Sequence, residues 1–217
     1  MIYWRELYQS FRRRPVLRSY LLFVISMAGS LGALAFLPMA VTKGVGLSEA
    51  TVGTYVAVAA AVRMLGAPVA GFLADRLGPR RVLPIGACLV VGGLCAAAAA
   101  RGFAGGVAAY GLIFAGIVCN MVCHSPVVME LAHGRARVAV LVLPRLVASP
   151  VQMAAPLAAG LVVRSLGYGW LFRLAAVVAL VAVWAAFAMA RRPSTDSGRG
   201  ELVEPRERRS LDGGQAG

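Results

Sequence analysis

The sequence predicts an all-α membrane protein with six transmembrane helices, and three observations lead there. Hydrophobic residues make up 59% of the 217-residue chain and charged residues 14%, against roughly a quarter charged in an ordinary soluble domain. Uncharged apolar runs recur along the chain, each long enough, at about 1.5 Å per residue, to cross a hydrocarbon layer of about 30 Å. The basic residues collect in short segments between those runs, the arrangement that orients a membrane protein. Nucleic-acid binding would instead gather them on one solvated face, so the net charge of +13 reads as topology and no nucleic-acid partner is expected.

Residues 1–18 form a segment of their own. Trp4, Leu7, Tyr8 and Phe11 fall at i, i+3, i+4 and i+7 with Arg5, Arg12, Arg13 and Arg14 beside them, one apolar stripe on a basic helix. Such a helix lies in the headgroup layer on the cytoplasmic side or packs on the rest of the protein, and Pro15 is expected to end it. A transmembrane domain follows over 19–192, with spans at about 19–41, 51–74, 82–100, 103–128, 138–163 and 169–190. Residues 193–217 are polar, rich in Pro, Gly, Arg and Glu, and lack apolar periodicity. They predict a disordered cytoplasmic tail.

With a cytoplasmic amino terminus, the inner segments hold Arg5, Arg12, Arg13, Arg14, Arg18, Arg76, Arg80, Arg81, Arg135, Arg137, Arg191 and Arg192. The outer loops hold only Lys43, Arg101 and Arg164. That bias puts both termini in the cytoplasm, as an even number of spans requires, and the chain in a cell membrane. Cys88, Cys95, Cys119 and Cys123 all fall within apolar runs, so they read as reduced rather than as a disulfide framework.

The most informative motif lies between the second and third spans: Gly71-Phe-Leu-Ala-Asp75-Arg76-Leu-Gly78-Pro-Arg80-Arg81. Gly71 lets another helix come close, Gly78 gives the permissive φ of a sharp turn, and Arg80 and Arg81 hold the loop at an anionic leaflet. Asp75 is the odd member, because a helix carboxy terminus disfavours an anion. It needs a cation, which Arg76, Arg80 or Arg81 could supply locally, or a neighbouring helix amino terminus. The simpler reading is a charged turn that only sets topology.

This motif, in this loop of a six-helix unit, resembles the loop signature of the major facilitator superfamily. The resemblance extends over roughly residues 4–192, with Arg12-Arg13-Arg14-Pro15-Val16-Leu17-Arg18 similar to the entry into a seventh helix and Gly160 to Trp170 similar to the last helix connection. The fourth span has no Arg, and the fifth offers Ala155-Pro156-Leu-Ala-Ala-Gly160 in place of the Gly-Pro-Gly-Gly-like element of antiporter amino-terminal halves. The likeness is therefore to the carboxy-terminal six-helix half. It implies that Asp75 bridges to a helix of an opposite half and holds one conformer of an alternating-access cycle, with Gly71, Arg76, Gly78, Arg80 and Arg81 completing a gating loop.

Charges inside the membrane are functional candidates because they are costly to insert. Arg63 is the deepest, twelve residues from both Thr51 and Asp75, or about 18 Å. It is expected to face a cavity or partner, an anionic solute among them, or to bond backbone carbonyls. Arg145 is a second candidate for solute or partner contact, nearer the cytoplasmic end, and Arg173 can snorkel outward. No Asp or Glu lies well inside a span, Glu130 being near an inner end, so no proton relay is visible. Cys119, Met121, Cys123, His124, Met129 and His133 include soft-metal ligand types but read as packing, with the histidines at the cytoplasmic end. Gly102, Gly106, Gly111 and Gly116 are expected at close helix crossings. No metal or cofactor is expected, and no nucleophile–base pair suggests an enzyme.

The reading is secondary transport of a small solute by alternating access, as the carboxy-terminal half or a truncated form of a larger transporter. Its partners are the bilayer, the solute and a second six-helix half or a homodimer partner. The alternative is a transport-inactive remnant or scaffold that retains the fold.

Overall fold

The computed structural model describes residues 15–44, 50–131 and 137–191; residues 1–14 of the interfacial segment and the tail 193–217 lie outside these. Six long helices make up the described part: α1 (Pro15–Leu31), α2 (Ala50–Leu77), α3 (Pro79–Ala99), α4 (Phe103–Leu131), α5 (Arg137–Leu166) and α6 (Tyr168–Ala190). Each contributes a stretch long and apolar enough to cross a bilayer, that of α1 running on to Met39. The chain is an all-α membrane bundle.

Pro15 is the first described residue of α1, and the helix expected to end there lies outside the described residues. α1 then tightens to a 3-10 segment (Gly32–Phe36) and ends in a π-helical turn (Ala40–Gly44). The other helices overrun their predicted spans, α4 to Leu131 and α5 to Leu166. Hydropathy marks the apolar slab, whereas the ladder of backbone bonds continues into polar sequence beyond it.

Packing is organised around α3 and α6. α3 lies along α4 and α6, α1 along α6 and α5, and α2 along α4. Exchanging α1, α2 and α3 with α4, α5 and α6 maps these pairings onto one another: α1–α5 onto α4–α2, and α1–α6 onto α4–α3. The bundle is thus two three-helix units. Because three is odd, the second unit starts from the opposite face of the membrane and is inverted relative to the first.

Small residues set the distances. On α6 the buried seam is Ala175, Ala176, Ala179, Ala182, Ala185, Ala186 and Met189, while Val177, Leu180 and Trp184 face outward. At the α3–α4 crossing, a Cβ on Gly116 would sit 2.5 Å from the Gly86 carbonyl oxygen, and one on Gly86 would sit 3.0 Å from that of Gly116. Apolar burial drives little association in lipid, so this close approach is a principal source of helix affinity. Gly106 serves Tyr55 of α2, whose fully buried ring lies where a Cβ would be. The Tyr55 hydroxyl donates to the Phe103 carbonyl at 3.2 Å, and the ring packs on Phe103 and Tyr110 at 5.5 and 5.0 Å. Gly102 and Gly111, expected at crossings, instead have no neighbour among the described residues within 4 Å of a would-be Cβ. Composition marks a small residue without showing whether its face is covered.

The two classes of glycine should separate on substitution. Gly116→Leu drives a side chain into the α3 backbone, and overpacking of that kind costs about 1–3 kcal/mol or more. We expect loss of most monodisperse protein in detergent and a lower thermal midpoint. Gly111→Leu, entering open space, should leave both near wild type.

Candidate functional site

The turn between α2 and α3 is built as its sequence suggests. Gly78 adopts φ 85°, ψ 141°, a conformation essentially reserved for glycine. Its N–H donates to the Ala74 carbonyl at 2.9 Å, and its own carbonyl accepts from Arg81 N–H at 3.1 Å. One residue therefore closes α2 and opens α3, and Pro79 takes the first helical position.

Around this turn, Asp75 is exposed and its carboxylate has no partner among the described residues. Arg76 does not neutralise it. The Arg76 guanidinium instead lies 4.4 Å above the Phe72 ring, and Arg80 is half-buried while Arg81 is exposed. The local pairing considered from the sequence is not formed. Gly71 has nothing within 4 Å of a would-be Cβ, so no helix among the described residues approaches there.

The inverted repeat explains a likeness that the sequence reading passed over. Gly71, Leu77 and Gly78 recur at the same spacing as Gly160, Leu166 and Gly167. Gly167 has φ 86°, ψ 174° and takes a 3.0 Å bond to the Val163 carbonyl. The two turns are one device at opposite ends of the bundle. Arg164 stands where Asp75 stands, a cation at a helix carboxy terminus, where it suits the dipole.

Of the intramembrane arginines, Arg63 is exposed in the middle of α2, with no partner among the described residues. Arg173 lies 5.2 Å above the Trp170 ring near the Gly167 end. Arg145 belongs to α5, one turn before Ser149; its side chain is outside the described residues. The outer surfaces of α2 and α5 are the least covered in the bundle, Met64 being 78% and Met153 77% exposed.

A polar site appears between α1, α4 and α5. The Tyr20 hydroxyl of α1 and His124 Nδ1 of α4 are 2.6 Å apart, and Tyr20 itself is fully buried. With the hydroxyl assigned as donor, the neutral imidazole carries its proton on Nε2. Next to this pair is a 370 Å³ cavity lined by Val24, His124, Pro144, Ala148, Ser149 and Gln152. A second 370 Å³ cavity, between α1, α5 and α6, has a wholly apolar lining that includes Gly29, Val151 and Leu171. The sequence had weighed His124 in a soft-ligand cluster and as a mark of the cytoplasmic end, and had not singled out Tyr20, Ser149 or Gln152. Arg145, Ser149 and Gln152 at i, i+4 and i+7 in an apolar run were the available signal. Cys119 and Cys123 are buried packing residues, Met121 is exposed, and His133 lies outside the described residues.

Residues 4–212 match the family model described as the Major Facilitator Superfamily. None of the curated proteins matches the chain.

The paired turns yield a matched test. Gly78→Ala and Gly167→Ala should each cost about 1–3 kcal/mol of backbone strain, read as lowered thermal midpoints of the purified protein. Gly71→Ala, with ordinary helical backbone and open space around it, should leave the midpoint unchanged.

Proposed function

The chain belongs to the Major Facilitator Superfamily, and from that premise we propose that it is one six-helix half of a secondary transporter that works by alternating access. Membership of the family carries transmembrane transport of a solute across a bilayer. The finer reading rests chiefly on the uncompensated Asp75. A carboxylate at the carboxy end of its own helix, exposed and without a partner among the described residues, is poised for a positive group outside this bundle. Open Gly71, mid-membrane Arg63 and the bare faces of α2 and α5 lie on the same side of the argument. An arginine at that depth is not stable against lipid, so a second bundle, from another half or another copy, is the natural cover. Alternation would then be the rocking of two bundles about a site between them, with Asp75, Gly71, Arg76, Gly78, Arg80 and Arg81 biasing one conformer.

The arginine distribution orients this half with the Gly78 end in the cytoplasm of a cell membrane. Reporters active only in the cytoplasm should therefore signal when fused at residues 78, 135 and 195 and stay silent at 45, 102 and 166. A silent fusion at 78 overturns the orientation.

Asp75→Asn removes a contact without filling space. In a transporter reconstituted with both bundles we expect normal insertion and abundance but a several-fold fall in flux, because losing a charge-assisted contact shifts a two-state equilibrium. Gly71→Leu should leave the isolated chain folded and weaken its association with the second bundle. Wild-type flux for Asp75→Asn in proteoliposomes would reduce the motif to a turn that sets topology.

A further inference from the structure

We propose that the lipid-facing groove between α3 and α6 binds one anionic phospholipid, whose headgroup is held by Arg81 and Arg191. The register of the two helices brings these residues to one mouth. α3 and α6 run antiparallel, and at the Gly167 end a Cβ on Gly169 would sit 4.0 Å from the Ala98 carbonyl oxygen. Arg81 lies seventeen residues before Ala98, and Arg191 lies twenty-two after Gly169. Their offset is therefore about 8 Å along the axes, between helices that pack about 8–10 Å apart. Both side chains are exposed, and neither guanidinium has a hydrogen bond or ion pair among the described residues.

The two arginines also share one side of the groove. Counted from Ala98 and Gly169 at about 100° a residue, Val90 and Ala179 turn into the bundle, where both are fully buried. Arg81 and Cys88 on α3, with Trp184 and Arg191 on α6, turn the other way and are exposed. The walls on that side are unequal. α3 offers Cys88 and Cys95, and Gly92 has nothing among the described residues within 4 Å of a would-be Cβ. α6 offers Leu180 and Trp184, 52% and 65% exposed. A low wall beside a tall one leaves an apolar channel that runs from the arginines toward the middle of the bilayer.

Charge decides what fills it. The helix dipoles do not, because α3 begins and α6 ends at this mouth and the two oppose each other. Asp75, the acid nearest in sequence, belongs to α2, which lies along α4. Two cations at headgroup depth above an apolar channel match a phosphate joined to acyl chains. A zwitterionic headgroup brings its own ammonium and gains less from them, and a free phosphate leaves the channel empty of its own chain.

The chain, washed free of lipid in detergent, is heated with dioleoyl phosphatidylglycerol, with dioleoyl phosphatidylcholine or with inorganic phosphate. Native mass spectrometry reads the lipid retained. Phosphatidylglycerol should raise the thermal midpoint and stay as one bound lipid, at least tenfold preferred over phosphatidylcholine in direct competition. Arg81→Gln with Arg191→Gln should abolish that preference, and Arg81→Lys with Arg191→Lys should keep most of it. Cys88→Trp, which fills the channel, should weaken the bound lipid at least tenfold and leave the unliganded midpoint intact. Equal retention of the two lipids, a shift with phosphate as large as with phosphatidylglycerol, or a preference that survives the glutamine pair would each overturn the proposal. So would undiminished binding in Cys88→Trp, which leaves a charged surface without a groove. The competition uses the unaltered chain and stands whatever the stability of the variants. Flux is not read, so the place of Arg81 in the gating loop does not enter the result.

Discussion

A hydrocarbon interior offers nothing that can hydrogen-bond a peptide group, and the form of this protein follows from that constraint. Every backbone donor and acceptor at depth must be satisfied within its own helix, so the chain crosses as helices and turns only at the ends. The turns are accordingly short, a single residue between α2 and α3 and again between α5 and α6. Side chains are then left to decide which helices meet. Because lipid is as apolar as leucine, the decision falls to small residues that admit a neighbouring backbone. Gly86 and Gly116 do this for α3 and α4, and the alanine seam of α6 does it for α1 and α3.

The same economy is visible in the repeat. One three-helix plan, used twice in opposite directions, gives two glycine turns of nearly equal φ at opposite ends and two lateral helices, α2 and α5, whose apolar spans are the least buried of the six. What differs between the copies is charge. The first turn carries Asp75 against its helix dipole, and the second carries Arg164 in accord with it. An arrangement that is comfortable at one end and uncompensated at the other has a built-in direction, which a transporter needs and a symmetric scaffold does not.

The fold was largely legible in the sequence because one-dimensional signals govern it. Apolar run length gave the number of helices, and the DRxG string with its flanking arginines gave the turn at Gly78. Legibility stopped where contacts between distant segments decide. Gly106 and Gly111 look alike in the chain, yet one receives Tyr55 and the other faces open space. Arg76 next to Asp75 suggests an ion pair, but the Phe72 ring one turn back attracts the guanidinium. Tyr20 and His124 are 104 residues apart, and no local pattern links them. The strip of Arg145, Ser149 and Gln152 was readable in principle, but its meaning depends on the helices around it.

α5 holds Pro144, Pro150 and Pro156, whereas α6 has no proline in its length. Each proline inside a helix removes an N–H from the ladder and crowds the carbonyl four residues earlier. With a six-residue interval, the missing rungs fall on different sides of the helix axis. α5 is thus an articulated rod, able to bend by small amounts in several directions, set beside the stiff post of α6. The stretch that carries Ser149 and Gln152 lies among these missing rungs. α2, α3 and α4 hold one interior proline each, so the polar cavity lies against the helix with the most interrupted ladder.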